Sequence, residues 1–172
     1  VVPSLGGVPR RLTDFGSAPA YSPDGSWIAL QADPVNDVSA GAFPALPPST
    51  IWLVPATGGK PTRITEPGVP GGGHGSPSWS PDGVRIVFVT YIRPGSEMWT
   101  VDRDGKDLRV VTRSLPYIFD PVFAPDGRSL YFSSAGRVAS SLGISLWNIP
   151  VSRKTGVATG EAIELLNFGT SA

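Results

Sequence analysis

The sequence predicts an all-β fold: a β-propeller of four-stranded antiparallel blades, present in part as about three blades plus one further strand. The 21 glycines and 19 prolines make up nearly a quarter of the 172 residues, and both residue types break helix interiors. A turn motif recurs three times, and each copy is followed by a tryptophan. Four short strands in each repeat of this length are typical of a propeller blade.

The recurring turn contains Pro-Asp-Gly and lies between two predicted strands. Its copies are residues 22–25, 80–83 and 124–127. Proline fixes φ at the first central position of a type I turn, aspartate suits the second, and glycine accepts the left-handed conformation that follows. Each turn therefore joins the innermost strand of a blade to its second strand. Asp24, Asp82 and Asp126 are interpreted as turn residues, one per blade, in preference to a carboxylate triad.

Three more strands follow each turn at positions that repeat along the chain. The second strands are apolar runs at residues 27–30, 86–89 and 130–133, the third strands carry Trp52, Trp99 and Trp147, and the fourth strands lie at residues 63–65, 110–112 and 164–166. Successive tryptophans are 47 and 48 residues apart. We expect these side chains to pack between neighbouring blades, because aromatic rings supply large contact areas.

The repeat divides the chain into five parts. They are the outer strands of a preceding blade (residues 1–14), three blades (15–66, 67–113 and 114–167) and the start of a next blade (168–172). The first blade also carries an insertion rich in Pro and Ala at residues 33–49, predicted to be a loop outside the repeated core. Because propellers close with about four to eight blades, the remaining blades are expected to come from a longer parent chain or from homo-oligomerisation.

Composition excludes several classes of function. The 14 Lys and Arg balance the 14 Asp and Glu, and no dense basic patch is present, so nucleic-acid binding is not expected. No apolar run approaches the about 18 to 20 residues of a membrane span. The absence of cysteine removes disulfides, thiolate metal sites and cysteine nucleophiles. No cofactor and no metal site is predicted.

His74, the single histidine, is the second-last residue of the glycine-rich stretch at residues 68–75. A Ser-His-Asp arrangement would need this imidazole to take the proton from its nucleophile. The sequence contains no Gly-x-Ser-x-Gly motif, and no catalytic residue is predicted. The glycine-rich stretch also lacks the Gly-Lys-Ser/Thr ending of a phosphate loop, so it is interpreted as a connection leading to an inner strand.

Residues just before the inner strands are expected to surround one mouth of the central channel. They are Ser17, His74, Ser76 and Asp120. Two interpretations stay open: solvated loop residues, or the polar lining of a channel mouth that binds a peptide, a glycan or an ion. The insertion at residues 33–49 is the other candidate for recognition, since loops on a rigid scaffold often carry binding function.

The repeat resembles that of the TolB-type β-propellers. Residues 78–83 (SWSPDG) match the turn motif of that repeat in full, and residues 51–65 (IWLVPATGGKPTRIT) match its second half nearly throughout. The third blade departs from the pattern, with Ala124 in place of serine and a longer turn at residues 150–156. The resemblance implies the fold but leaves function open, because such repeats occur in Tol-system periplasmic proteins, in propellers of S9-type serine peptidases and in sensor segments of bacterial regulators.

The sequence thus favours a non-catalytic TolB-like module that binds or scaffolds a protein or peptide partner. The resemblance further implies a larger bacterial protein and a periplasmic or other extracytoplasmic location. The alternative is the propeller portion of an S9-like serine peptidase, gating access to a catalytic domain outside this chain. A Gly-x-Ser-x-Gly hydrolase domain downstream in the parent gene would favour that alternative.

Overall fold

The computed structural model describes residues 1, 6–32, 49–92, 95–113, 115, 117–138 and 141–168. Over these residues the protein is all-β, with three four-stranded antiparallel sheets. This confirms the predicted fold class, a partial propeller. The sheets span residues 17–63, 73–112 and 118–167.

Each sheet is a meander in which every strand pairs with the next one in sequence. The first blade comprises β1 (Ser17–Tyr21), β2 (Trp27–Gln31), β3 (Ile51–Pro55) and β4 (Thr62–Arg63). The second comprises β5 (Gly73–Trp79), β6 (Arg85–Ile92), β7 (Gly95–Asp102) and β8 (Arg109–Thr112). The third comprises β9 (Ile118–Phe123), β10 (Ser129–Val138), β11 (Ser141–Pro150) and β12 (Ile163–Asn167). The first strands are innermost, since β5 contacts both β1 and β9.

The three Pro-Asp-Gly turns have the predicted geometry. The glycine N–H donates to the carbonyl of the residue three positions earlier, at 2.8 Å in the first blade and 2.9 Å in the other two. Gly25, Gly83 and Gly127 have φ values of 69°, 70° and 69°, in the left-handed region that favours glycine. The turn prediction is therefore confirmed in all three blades.

Apolar side chains fill the two seams between neighbouring blades. Ala29, Ile51 and Leu53 of the first blade pack with Ile86, Phe88 and Val101 of the second, and Trp99 covers this cluster. A second cluster joins Val87, Val89 and Met98 to Leu130, Phe132 and Ile149, and Trp147 packs against it. These two tryptophans confirm the predicted packing between blades.

The N-terminal segment covers the free face of the first blade. Leu12 packs with Trp52 against a cluster of Ile28, Leu30 and Val54. The ring of Phe15 meets Trp52 edge-on, with centroids 5.1 Å apart. Residues 6–14 contain no assigned strand. Val1 and Arg10 nevertheless exchange two backbone hydrogen bonds of 2.8 Å, as paired antiparallel strands do.

The opposite face, on the third blade, is bare. Val122 is 53% exposed, Tyr131 40% and Leu165 46%. The second-blade residues at the positions of Tyr131 and Leu165 are Val87 and Val111, and both are buried by the third blade. The third blade therefore presents to solvent the face that the second blade buries.

Two predicted segments lie largely outside the described residues. Of the insertion only Ser49 is described, and of residues 168–172 only Phe168. Ser49 is buried, and its carbonyl accepts the backbone N–H of His74 at 2.9 Å. Within the described ranges, no helix has the length and hydropathy needed to cross a membrane.

Candidate functional site at the inner strands

Each inner strand bends at one residue that precedes a proline. Ala18, Ser76 and Asp120 have φ values of 48°, 49° and 46°, and each is followed by proline. The pairing of each inner strand with its neighbour shifts register around this residue. Proline has no N–H to donate to the ladder, and a bulge re-aims the adjoining side chain. The three blades thus turn equivalent residues out of the ladder along the central axis.

Two of the predicted site residues meet across a seam between blades. The Ser76 hydroxyl donates to Oδ1 of Asp120 at 3.1 Å. Ser76 is buried, whereas Asp120 is exposed. The backbone N–H of Ser76 donates to Oε1 of Gln31 in the first blade at 2.9 Å. Ser76 therefore links all three blades through polar contacts, to β2 of the first blade and to the inner strand of the third.

Glycine is required at position 75, beside the hydrogen bond between Gln31 and Ser76. A Cβ at Gly75 would lie 2.7 Å from Oε1 of Gln31 and 3.3 Å from the ring of Tyr91. The smallest residue leaves room for the Gln31 amide to reach Ser76. Gln31 is itself buried, so the contact joins the first two blades away from bulk solvent.

Tyr91 is hydrogen-bonded to Ser76, and its ring centroid lies 6.5 Å from that of Phe119, the residue before Asp120. Burial raises the pKa of the Tyr91 phenol, a hydrogen bond with Ser76 opposes the rise, and the charge of Asp120 adds to it. The phenol therefore stays neutral at ordinary pH. The site combines one carboxylate, two hydroxyls and two aromatic rings.

His74 lies apart from this group, inside the seam between the first two blades. Its side chain is fully buried; Nε2 lies 2.8 Å from the carbonyl oxygen of Pro70 and Nδ1 lies 2.9 Å from the Thr65 hydroxyl. A carbonyl only accepts, so Nε2 carries the proton and Nδ1 accepts from Thr65. Burial lowers the pKa of His74. The imidazole is a buried, neutral packing element of this seam.

Ser17 lies on β1 and pairs in register with Gln31. Its hydroxyl oxygen is buried and has no hydrogen-bond partner among the described residues. The structure thus brings Ser76 and Asp120 together, connects Ser17 to them only through Gln31, and separates His74 from all three.

Gln31 and Tyr91 belong to the site but were absent from the sequence-based set. Gln31 gave one usable signal, since it is a polar residue at the end of an apolar strand. The burial of His74 could also have been predicted from its position in the repeat. Counted from the Pro-Asp-Gly turn, His74 occupies the same position as Ile118, which is fully buried as well.

The described part of the chain contains no group of three or more His, Cys, Asp or Glu side chains arranged to hold a metal ion. No cofactor cradle is assigned to the site.

Similar proteins were found both by sequence and by structure. Over 114 residues the chain is 31% identical to the uncharacterized protein Atu1656 of Agrobacterium fabrum, a match that covers 66% of this chain and 34% of that protein. The fold is similar to that of a TolB candidate from Agrobacterium tumefaciens, with a TM-score of 0.73 and 23% identity over 96% of this chain. No protein-family model matches the chain.

Two further solved structures share the fold at lower identity. TolB from Acinetobacter baumannii has a TM-score of 0.61 and 16% identity, covering 88% of this chain and 32% of that one. An acylaminoacyl peptidase has a TM-score of 0.56 and 15% identity, covering 87% of this chain and 25% of the enzyme.

The chain has the fold of the TolB-type β-propellers, which confirms the resemblance seen in its repeats. It spans about a third of the Agrobacterium fabrum protein and 55% of the Agrobacterium tumefaciens structure. At these identities the structural likeness establishes the fold alone.

Proposed function

We propose that this chain is a non-catalytic binding and scaffolding module whose inner-strand bulges present the channel mouth to a protein or peptide partner. The observation that carries the proposal is the Ser76–Asp120 pair, which places an exposed carboxylate on two adjoining inner strands that Gln31 of β2 ties to the first blade. Binding groups held on a rigid sheet lose little conformational freedom when a partner docks. A periplasmic or other extracytoplasmic location in a bacterium fits this proposal.

The position of His74 argues against acyl-transfer chemistry within these residues. When such chemistry uses a Ser-His-Asp arrangement, it requires an imidazole within hydrogen-bond reach of the nucleophile and open to the substrate. The single imidazole is buried and bonded through both nitrogens, to Thr65 and to Pro70. It has no free nitrogen with which to accept a proton from a substrate-facing serine.

The alternative is a propeller that gates a peptidase. The fold shared with acylaminoacyl peptidase favours it. In that case the channel would admit or exclude substrates of a hydrolase domain carried elsewhere in the parent protein. The two functions differ in what the mouth does, since a binding module retains its ligand whereas a gate passes it on.

Peptide selection tests the proposal. We expect a random phage-displayed peptide library to yield ligands for the 172-residue chain, and amide NMR shifts on titration to cluster at residues 16–19, 75–77 and 118–121. Shifts confined to the outer strands β4, β8 and β12 would contradict the proposed mouth. Hydrolysis of a selected peptide by the chain would contradict the non-catalytic assignment.

A further inference from the structure

We infer that the channel mouth selects ligands through a cationic nitrogen, such as a lysine or arginine side chain or the amino terminus of a peptide. This inference rests on the proposed binding function and names the chemistry that the same site recognises. Its basis is the Asp120 carboxylate, the distribution of charge on the inner strands, and the two aromatic rings beside it.

Asp120 lacks a cationic partner in the described structure. The ion pairs among described residues involve other carboxylates. Its one hydrogen bond comes from the Ser76 hydroxyl to Oδ1, which leaves Oδ2 without a described partner. An exposed carboxylate with one satisfied oxygen is a receptor for a charged N–H donor, because hydrogen bonds between ionised groups are about twice as strong as neutral ones.

The inner strands concentrate negative charge at this point. The three strands read SAPAY, GHGSPSW and IFDPVF, so they contain no Lys or Arg and a single carboxylate, that of Asp120. His74 on β5 is buried, and burial lowers its pKa, so it adds no positive charge at neutral pH. On the described inner strands a cation therefore meets one negative charge that no side chain of those strands compensates, and an anion is disfavoured there.

The aromatic rings favour the same class of ligand. The charge of Asp120 acts on Tyr91, whose ring centroid lies 6.5 Å from that of Phe119, and the face of an aromatic ring attracts an ammonium or guanidinium group. The raised pKa of Tyr91 keeps its phenol neutral, so the oxygens of Tyr91 and Ser76 remain uncharged acceptors. A lysine or arginine stem would pack on the rings while its charged end reaches Asp120.

Matched peptides test the inference by calorimetric or NMR titration of the 172-residue chain. The probes are acetyl-Gly-Lys-Gly-amide, acetyl-Gly-Arg-Gly-amide, the neutral acetyl-Gly-norleucine-Gly-amide, and Gly-Gly-Gly-amide with its free amino terminus. We expect at least one cationic probe to bind at least tenfold more tightly than the norleucine peptide, with amide shifts at residues 118–121. Comparison of the blocked and free-terminus peptides identifies which nitrogen is preferred.

Asp120→Asn should reduce that preference to less than threefold, and asparagine keeps the φ of 46° accessible. Asp104→Asn is the matched control, because it makes the same charge change at an exposed turn paired with Lys106 and should leave binding unchanged. Equal affinity for lysine and norleucine peptides at the mouth would overturn the inference while the binding function stands. Absence of any shift at the three bulges, with every probe, would overturn both.

Discussion

The Ser80 hydroxyl donates a 2.6 Å hydrogen bond to Oδ1 of Asp82, two residues further along the turn. The same hydroxyl oxygen accepts the backbone N–H of Arg85 at 2.9 Å, so one side chain closes the turn from both ends. Ser22 and Asp24 repeat this arrangement in the first blade. The third blade has Ala124 at this position and lacks the hydroxyl.

Ala124→Ser should therefore stabilise the chain, by about 0.5 to 1.5 kcal/mol for the hydrogen bonds it restores. Urea denaturation at pH 7 measures the change. Ser80→Ala is the reciprocal variant and should lower the free energy of unfolding, because it leaves a buried N–H of Arg85 without its side-chain acceptor. A destabilised Ala124→Ser chain would show that the third turn does not accommodate the shared geometry.

Gly83→Ala should cost about 1 to 2 kcal/mol, because a Cβ is strained at its φ of 70°. Space is not the cause, since the added Cβ would meet Pro23 at an ordinary 3.7 Å. Gly71→Ala is the control: it has no left-handed φ, and its Cβ would lie 3.6 Å from Ile92. Thermal melts that show equal losses for the two variants would contradict the strain argument.

His74 makes stability depend on pH below neutrality. Burial lowers its pKa from 6.5, so the unfolded chain binds the proton more readily than the folded chain. The contribution of the neutral imidazole to the free energy of unfolding is complete above pH 6.5. It is lost as pH falls towards the folded pKa, and the free energy of unfolding then falls by at most about 1.4 kcal/mol per pH unit. Denaturation curves from pH 5 to 8 should show this slope, and His74→Gln should remove it.

The turn carboxylates act in a lower pH range. Hydrogen bonds from Ser22, and then from Ser26, lower the pKa of Asp24 from 3.8 to about 2. The ionised Asp24 carboxylate contributes to the free energy of unfolding above pH 3.8, and this contribution is lost as pH falls towards 2. A His74→Gln chain should therefore keep its acid unfolding below pH 4. Loss of both transitions in that variant would show that the two groups are coupled.

Arg85→Met should destabilise the chain by about 2 to 4 kcal/mol, since it removes a buried cation that is hydrogen-bonded to two partly exposed carboxylates. The guanidinium is 4% exposed, bonds to Asp102, Thr100 and Asp107, and pairs with both carboxylates. Arg109→Met is the matched control, because Arg109 also pairs with Asp107 but its side chain is 46% exposed. That change should cost less than about 1 kcal/mol. Similar costs for the two variants would contradict the role assigned to burial.

The repeat was readable in sequence because its turns depend on residue types at fixed local spacing. Gly83 and Pro81 act within one turn, so the motif alone predicts their conformation. The link from Gln31 to Ser76 joins residues 45 positions apart, and no local pattern specifies it. Arg85 was missed for the same reason: a charge on a strand reads as solvent-exposed until Asp102 and Asp107 are brought to it.

The bare face of the third blade should make the isolated chain associate. Exposed apolar faces of this kind usually mark an interface. Light scattering should report a species larger than the 18.0 kDa monomer, and Val122→Asp on the bare face should shift it towards monomer. Val84→Asp, at a turn with nearly the same exposure of 51% against 53%, should not. A monodisperse wild-type monomer that binds no hydrophobic dye would overturn this expectation.

The two end faces differ, since Leu12 and Phe15 cover the first blade whereas the third blade is open. A contact between the open face of one copy and the N-terminal face of the next would be heterologous. Such a contact has no built-in stopping point unless the rotation per copy closes a ring, and otherwise it propagates as a filament. A ring of two copies would contain six blades. The concentration dependence separates the outcomes: a ring saturates at 36 kDa, about twice the chain mass, whereas a filament keeps growing.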